Sequence, residues 1–191
     1  MPNYCSYDMH VKGAPGDVDA FIALMTDYDA PKHFYRVFDA TEYDRADNGD
    51  GTVTAMICGD CAWSVASCMT TDSPMTYCSS HEDGTSLMEQ SADKHLDIEV
   101  YSEEPGMCFA EHYLYRDGEE IVNEEIPFEL YQFEPSRWEL LDDEKLRGEL
   151  EAEFAEFKDE YGLPDEVTLD DVDPDCGDIR IGGYGELEWS V

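Results

Sequence analysis

The chain has 191 residues, of which 47 are acidic and 11 are lysine or arginine, so its formal net charge is -36 at pH 7. Such a charge argues against direct binding to nucleic acid, because proteins bind nucleic acid by neutralising phosphates with lysine and arginine. The hydrophobic fraction of 42% is enough for a core. No apolar run predicts a transmembrane helix and no signal peptide precedes the first strand, so we expect a cytoplasmic protein without membrane contact.

The first elements in chain order are a strand and a helix. Apolar and polar residues alternate from Cys5 to Val11, which indicates a strand with one buried face. A helix follows, marked by apolar residues at helical spacing, and its N-cap is predicted to be Asp17. Those apolar residues are Val18, Phe21, Ile22 and Met25.

The next segment, residues 30 to 50, is polar and irregular and is predicted to end in the turn Asp47-Asn48-Gly49-Asp50-Gly51. Alternation resumes in Val53-Ile57 and again in Ala62-Ala66. The pair Gly59-Asp60 between these two runs is typical of a tight turn. The sequence therefore predicts a hairpin over residues 53 to 66.

A second helix and a second hairpin follow. Ser86 and Glu89 form a capping-box pattern that begins a short helix, and a strand is predicted from Asp97 to Tyr101. The pair Asp117-Gly118 separates two alternating runs and predicts a hairpin. The order strand, helix, two strands, helix, strand indicates an α+β fold of the ferredoxin-like split β-α-β type. It consists of an antiparallel sheet with helices on one face, plus an extra hairpin, over a core domain of residues 1 to 134.

The composition changes after Pro135, because residues 135 to 191 contain 19 acidic and 5 basic residues. This region is predicted to be an acidic helical extension packed on the core, followed by a strand or hairpin from Ile179. The apolar residues of its helix are four or three residues apart and form one stripe. They are Leu146, Leu150, Phe154, Phe157 and Tyr161.

A row of carboxylates follows the same helix one residue behind the stripe. Its members are Glu149, Glu153, Glu156 and Glu160. A helix rises about 1.5 Å per residue, so neighbouring carboxylates in this row are roughly 4.5 to 6 Å apart. That spacing is comparable to the separation of successive phosphates along a nucleic-acid strand. The row is therefore a candidate phosphate mimic.

Several local motifs resemble one known family. The opening Met1-Pro2-Asn3-Tyr4-Cys5-Ser6, the block Gly59-Asp60-Cys61-Ala62-Trp63-Ser64 and the run from Val100 to Met107 are similar to the YubB-type ferredoxin-like proteins of plasmids, phages and integrative elements. The resemblance covers roughly residues 1 to 130. It implies a ferredoxin-like core and a mobile-element origin. The family has no established activity, so the resemblance implies no reaction.

Two further patterns could carry chemistry. Cys58 and Cys61 have the spacing of half a zinc site or of a redox pair, and structural thiols are the third interpretation. Glu111 and His112 are an acid and a base side by side, but neighbours on a strand point to opposite faces, so the pair is not expected to converge. No pattern supports an enzyme or a bound cofactor.

The combined pattern predicts a protein that acts by binding. The expected partner is a basic host protein that normally binds nucleic acid, and the expected role is a DNA-mimic inhibitor of the anti-CRISPR or anti-restriction class. A homodimer is also compatible with the apolar stripe. The alternatives are a module that binds a small ligand or a metal, and a general halophilic surface. The predicted partner-binding residues are Asp142, Asp143, Glu149, Glu153, Glu156 and Glu160.

Overall fold

The structure is a computed structural model that describes residues 3–70, 84–135, 147–173, 176–184 and 187–191. Within these residues the chain is an α+β protein with seven strands and four α-helices. Two compact units are distinguished: the first contains Met1–Pro127 and Gly183–Val191, and the second contains Phe128–Gly182.

Every strand pairing is antiparallel, in the order β2-β3-β1-β4-β5-β6-β7. The strands are β1 (Tyr4–Gly13), β2 (Thr41–Asp47), β3 (Val53–Ala62), β4 (Asp97–Glu104), β5 (Phe109–Arg116), β6 (Glu119–Gln132) and β7 (Asp178–Gly182). The helices are α1 (Pro15–Met25), α2 (Val65–Met69), α3 (Leu87–Lys94) and α4 (Arg147–Tyr161), and a short 3-10 helix spans Leu169–Asp171.

The first unit has its core on one face of the sheet. Met9 at the centre of β1 is opposite Ile57 of β3 and Val100 of β4, and all three side chains are fully buried. Residues from α1, α2 and α3 join the same apolar cluster, so these helices cover a single sheet face. The period-two alternation predicted for β1 and the apolar stripe predicted for α1 are confirmed.

The predicted N-cap at Ser86 and the second hairpin are also confirmed, whereas the Glu89 carboxylate accepts a hydrogen bond from the Thr85 hydroxyl at 3.2 Å. The Ser86 hydroxyl accepts a hydrogen bond from Glu89 N at 3.1 Å and begins α3. Asp117 and Gly118 connect β5 to β6, and both have positive φ angles, of 48° and 79°. Such angles are those that a tight hairpin turn requires.

The predicted N-cap of α1 is wrong. Ala14 occupies the N-cap without any side-chain hydrogen bond, and Pro15 is the first helical residue. Proline suits that position because it has no N–H to leave unpaired and its φ is already helical. The helix therefore begins before Asp17, whose carboxylate lies in the first turn near the unpaired N–H groups.

The hairpin predicted over residues 53 to 66 is wrong as well. β3 continues through Gly59-Asp60 to Ala62, which was expected to begin the partner strand. Of the other residues expected there, Ser64 is the N-cap of α2, and Val65 and Ala66 are its first residues. Ser64 caps α2 by accepting a hydrogen bond from Ser67 N at 2.9 Å. The hairpin partner of β3 is β2, to which the turn at residues 47 to 51 connects it, and β1 pairs with the other edge of β3. All seven residues of β2 are exposed, so no apolar alternation marked it as a strand.

The second unit has a smaller apolar core of its own. Its buried residues are Phe133, Leu150, Phe154, Leu163, Leu169, Val172 and Ile179. β6 and β7 pair from Phe128 opposite Gly182 to Gln132 opposite Asp178. In the part of the chain that the structure describes, no helix is long and apolar enough to cross a membrane.

Candidate functional site

Helix α4 separates an apolar side from an acidic side within the second unit. Leu150 and Phe154 are buried in the core, and Phe157 packs against Phe133 with ring centroids 5.2 Å apart. Tyr161 is 53% exposed, so the buried stripe is shorter than the sequence predicted. Its first predicted member, Leu146, lies outside the described residues.

Three members of the predicted carboxylate row are exposed: Glu149, Glu156 and Glu160. The fourth, Glu153, is half-buried and has an interaction within the protein. Asp142 and Asp143 lie outside the described residues. The outward acidic face of α4 therefore comprises Glu149, Glu156 and Glu160, which are called the α4 acidic face below.

The basic side chains of α4 are engaged by other groups of the second unit. Arg147 pairs with Asp170 at 2.6 Å and with Glu151 at 3.3 Å, and these carboxylates raise the pKa of its guanidinium. Lys158 donates hydrogen bonds to the carbonyl oxygens of Asp165, at 2.9 Å, and Val167, at 2.5 Å. These partners of both cations are therefore groups other than the three carboxylates of the α4 acidic face.

Cys58 and Cys61 do not converge. Both lie on β3, and residues three apart on a strand point to opposite faces. Cys61 is fully buried opposite Cys5, whereas Cys58 is opposite Asp8 and half-buried. Hydrogen bonds with the thiols of Cys5 and Cys68, together with burial, raise the pKa of the Cys61 thiol. A thiol that stays protonated is a poor metal ligand.

A metal site is not formed elsewhere in the described ranges, where no group of three or more His, Cys, Asp or Glu side chains is arranged to hold an ion.

Glu111 and His112 point to opposite faces of the sheet, as the sequence predicted. Glu111 lies on the core face and is only 2% exposed. Its carboxylate accepts hydrogen bonds from Val65 N at 2.8 Å, from the Ser102 hydroxyl at 2.9 Å and from the Tyr113 hydroxyl at 3.3 Å. Burial raises the pKa of Glu111, and these hydrogen bonds partly oppose the shift. A polar pocket of about 410 Å³ opens beside it, lined in part by Ser67, Glu120 and Glu125.

The raised pKa of Glu111 predicts the sign of a pH effect on stability. As the pH rises above about 4.3, the carboxyl ionises in the unfolded chain before it ionises in the folded protein, so folding loses stability. Glu111→Gln lacks this ionisation. We expect the stability advantage of the wild type over Glu111→Gln to shrink between pH 4 and pH 7, as measured by urea unfolding of both proteins. An advantage that grows with pH would show that the hydrogen bonds outweigh burial.

His112 lies on the opposite sheet face, in a polar cluster that the sequence did not reveal. Its Nε2 is 2.9 Å from Oε1 of Glu99, which is fully buried, and its ring stacks on Tyr101 with centroids 4.0 Å apart. These residues come from β4 and β5, and His10 of β1 is opposite Glu99. The cluster depends on pairing between distant strands, so no local spacing could have indicated it.

Comparisons of this chain with protein-family models, with curated proteins and with solved structures give no match. The expected membership of the YubB-type family therefore stays a prediction.

Proposed function

We propose that this protein acts by binding, and that the α4 acidic face occupies a basic surface of a host protein that normally binds nucleic acid. The observation that carries the proposal is which groups bind the two cationic side chains of α4. Arg147 and Lys158 are engaged by Asp170, Glu151 and two carbonyl oxygens, while Glu149, Glu156 and Glu160 remain exposed. The face therefore presents three exposed carboxylates, seven and four residues apart along the helix.

Such a face suits a partner whose lysines and arginines are already arranged for phosphates. Attraction between opposite charges speeds encounter and selects the partner. Like charges at i and i+4, such as Glu156 and Glu160, destabilise a helix by about 0.2 to 0.5 kcal/mol. These like charges destabilise α4, and binding to a basic partner would offset that cost. The proposed role is that of an anti-CRISPR or anti-restriction protein.

The strand order of the first unit is compatible with the ferredoxin-like core that its motifs imply. We assign the first four strands to a ferredoxin-like split β-α-β core. The support is their antiparallel order β2-β3-β1-β4, together with α1 after β1 and α3 before β4 on the covered face. The resemblance of residues 1 to 130 to YubB-type proteins supports a plasmid, phage or integrative element as the source.

Capture from a bacterial lysate tests the proposed function. The immobilised protein is expected to retain a nucleic-acid-binding protein at low salt and to release it on addition of duplex DNA. Release by sodium chloride is also expected, because the screening length falls from about 10 Å at 0.1 M to about 3 Å at 1 M salt. A captured protein that resists both DNA and salt would contradict the proposal, and so would the capture of no nucleic-acid-binding protein.

A further inference from the structure

The sheet face of the first unit that faces away from the core carries a chain segment, Leu187–Val191. The side chains beneath it belong to β1, β4 and β5 and alternate with the core residues of those strands. They are His10, Glu99, Tyr101, His112 and Arg116. All belong to the first unit, as does the segment itself. The segment and these residues therefore form one site within a single compact unit.

The polar contacts of this site go to the main chain of the segment. Oε2 of Glu99 accepts hydrogen bonds from Ser190 N at 2.5 Å and from Val191 N at 3.0 Å. Arg116 donates to the carbonyl oxygen of Ser190 at 3.0 Å, and the Tyr101 hydroxyl donates to that of Glu188 at 2.8 Å. Main-chain groups are common to every peptide, so these bonds recognise a peptide backbone rather than this particular sequence.

Selectivity for one side chain comes from Trp189. Its indole ring stacks on the His10 ring with centroids 3.7 Å apart and planes 12° apart. The same ring meets Tyr101 edge to face at 4.9 Å. Aromatic pairs in these geometries contribute beyond the area that they bury, and they require a flat aromatic side chain. His10 and Tyr101 thus form a slot for a tryptophan.

The polar side chains of this site favour a segment that can leave and be replaced over one that stays packed permanently. Burying a carboxylate is costly unless its oxygens are bonded, and Glu99 binds His112 through one oxygen and the segment through the other. An apolar surface would cover a sheet at lower cost. A carboxylate, two imidazoles and a phenol are instead groups that water can solvate when the segment leaves. Releasing the segment from this polar face therefore costs less free energy than releasing it from an apolar face would.

The backbone before the segment contains two successive glycines in the left-handed region. Gly182 has φ of 86° and Gly183 has φ of 76°. Glycine adopts these angles without steric cost and also adopts many others, so this point can change direction when the segment docks or leaves.

We propose that this sheet face is a peptide-binding site for a main-chain segment bearing a tryptophan. Glu188–Val191 occupies the site in the free protein, and a tryptophan-bearing segment of a partner protein displaces it. The segment that is already seated defines the partner's chemistry: two successive N–H groups for Glu99, two carbonyl groups for Tyr101 and Arg116, and an indole ring for His10. The site is separate from the α4 acidic face, which lies in the second unit.

The test uses the full chain with Trp189→Ala, which empties the slot. The probe is a synthetic peptide with the sequence of residues 187 to 191, blocked at both ends and carrying 5-fluorotryptophan, observed by fluorine NMR. The peptide is expected to bind this variant saturably and to bind the wild type at least about tenfold more weakly. The reason is that a tethered segment competes at an effective concentration in the millimolar range. No saturable binding to Trp189→Ala, or equal binding to the wild type, would overturn the proposal.

Two substitutions in the Trp189→Ala background show where the peptide binds. Glu99→Gln is expected to weaken binding by about tenfold, because it removes charge-assisted hydrogen bonds to two N–H groups. Asp29→Asn makes the same carboxylate-to-amide change at an exposed residue of the first unit outside β1, β4 and β5, and this matched control should leave binding unchanged. If Glu99→Gln fails to fold, Tyr101→Phe takes its place, with an expected loss of about threefold. An unchanged affinity in whichever variant is measured would overturn the proposal.

Discussion

Replacing Glu149, Glu156 and Glu160 together by lysine is expected to weaken binding to the captured host protein by at least about a hundredfold. Each substitution turns an attraction to a basic surface into a repulsion, and juxtaposed like charges across an interface cost several kcal/mol. Lysine and glutamate have similar helix propensities, so α4 is expected to remain folded. Isothermal titration calorimetry at low salt measures the affinity, and circular dichroism checks the helix.

The matched control changes the net charge equally in the other unit. Asp29, Asp93 and Glu119 are exposed residues of the first unit, and their replacement by lysine gives a variant with the same formal charge. In the same calorimetry buffer this control is expected to bind within about threefold of the wild type, because it keeps the α4 acidic face and salt screens charges that take no direct part in the interface. An equal loss in both triple variants would show that overall charge, rather than the α4 acidic face, determines binding.

Local spacing was enough to predict where the acidic row lies, but not which of its members face solvent. Counting along the helix placed Glu149, Glu156 and Glu160 together, and all three are exposed. Glu153 belongs to the same row by counting, yet it is half-buried. The curvature and width of a buried stripe depend on what packs against it, which in the second unit includes Phe133 and Ile179. That information is not contained in the helical period.

Elements with a strong local signal were predicted correctly, and features without a local signal were not. β1, α1, α3 and the hairpin of β5 and β6 each have a period, a cap or a turn within a few residues. The Glu99 cluster lacks any such signal, because its members come from four separate parts of the chain. β2 also lacks a local sequence signal, because an edge strand with both faces in solvent needs no apolar alternation.

The error at Gly59 has a different cause, because glycine serves two purposes in strands. It marks turns, and it also allows another backbone to approach closely. Here the second purpose applies. Residues 37 to 39 lie beside the end of β3, with Val37 bridged to Cys61 and Phe38 N bonded to the carbonyl oxygen of Asp60 at 2.8 Å. The side chain of Asp39 also accepts a hydrogen bond from Asp60 N at 2.7 Å.

Gly59→Ala is therefore expected to destabilise the first unit by about 3 kcal/mol or more. A Cβ at this position would overlap the carbonyl oxygen of Asp39 and lie 2.6 Å from Oη of Tyr7. Relief of this overlap requires residues 37 to 39 to move, which breaks the 2.7 Å hydrogen bond from the Tyr7 hydroxyl to the Asp39 carbonyl. Overpacking costs about 1 to 3 kcal/mol, and each buried polar group left without a partner adds about 1 to 3 kcal/mol. Urea unfolding followed by tryptophan fluorescence measures the loss.

Gly16→Ala is the matched control, because it makes the same change in the same unit. Nothing lies within 4 Å of a Cβ at Gly16, which is the second residue of α1. Alanine is favoured over glycine in a helix, so this variant should equal or exceed the wild-type stability by up to about 1 kcal/mol. Equal stabilities for Gly59→Ala and Gly16→Ala would mean that the backbone at Asp39 does not approach Gly59 this closely. The interpretation of Gly59 as a close-approach glycine would then be wrong.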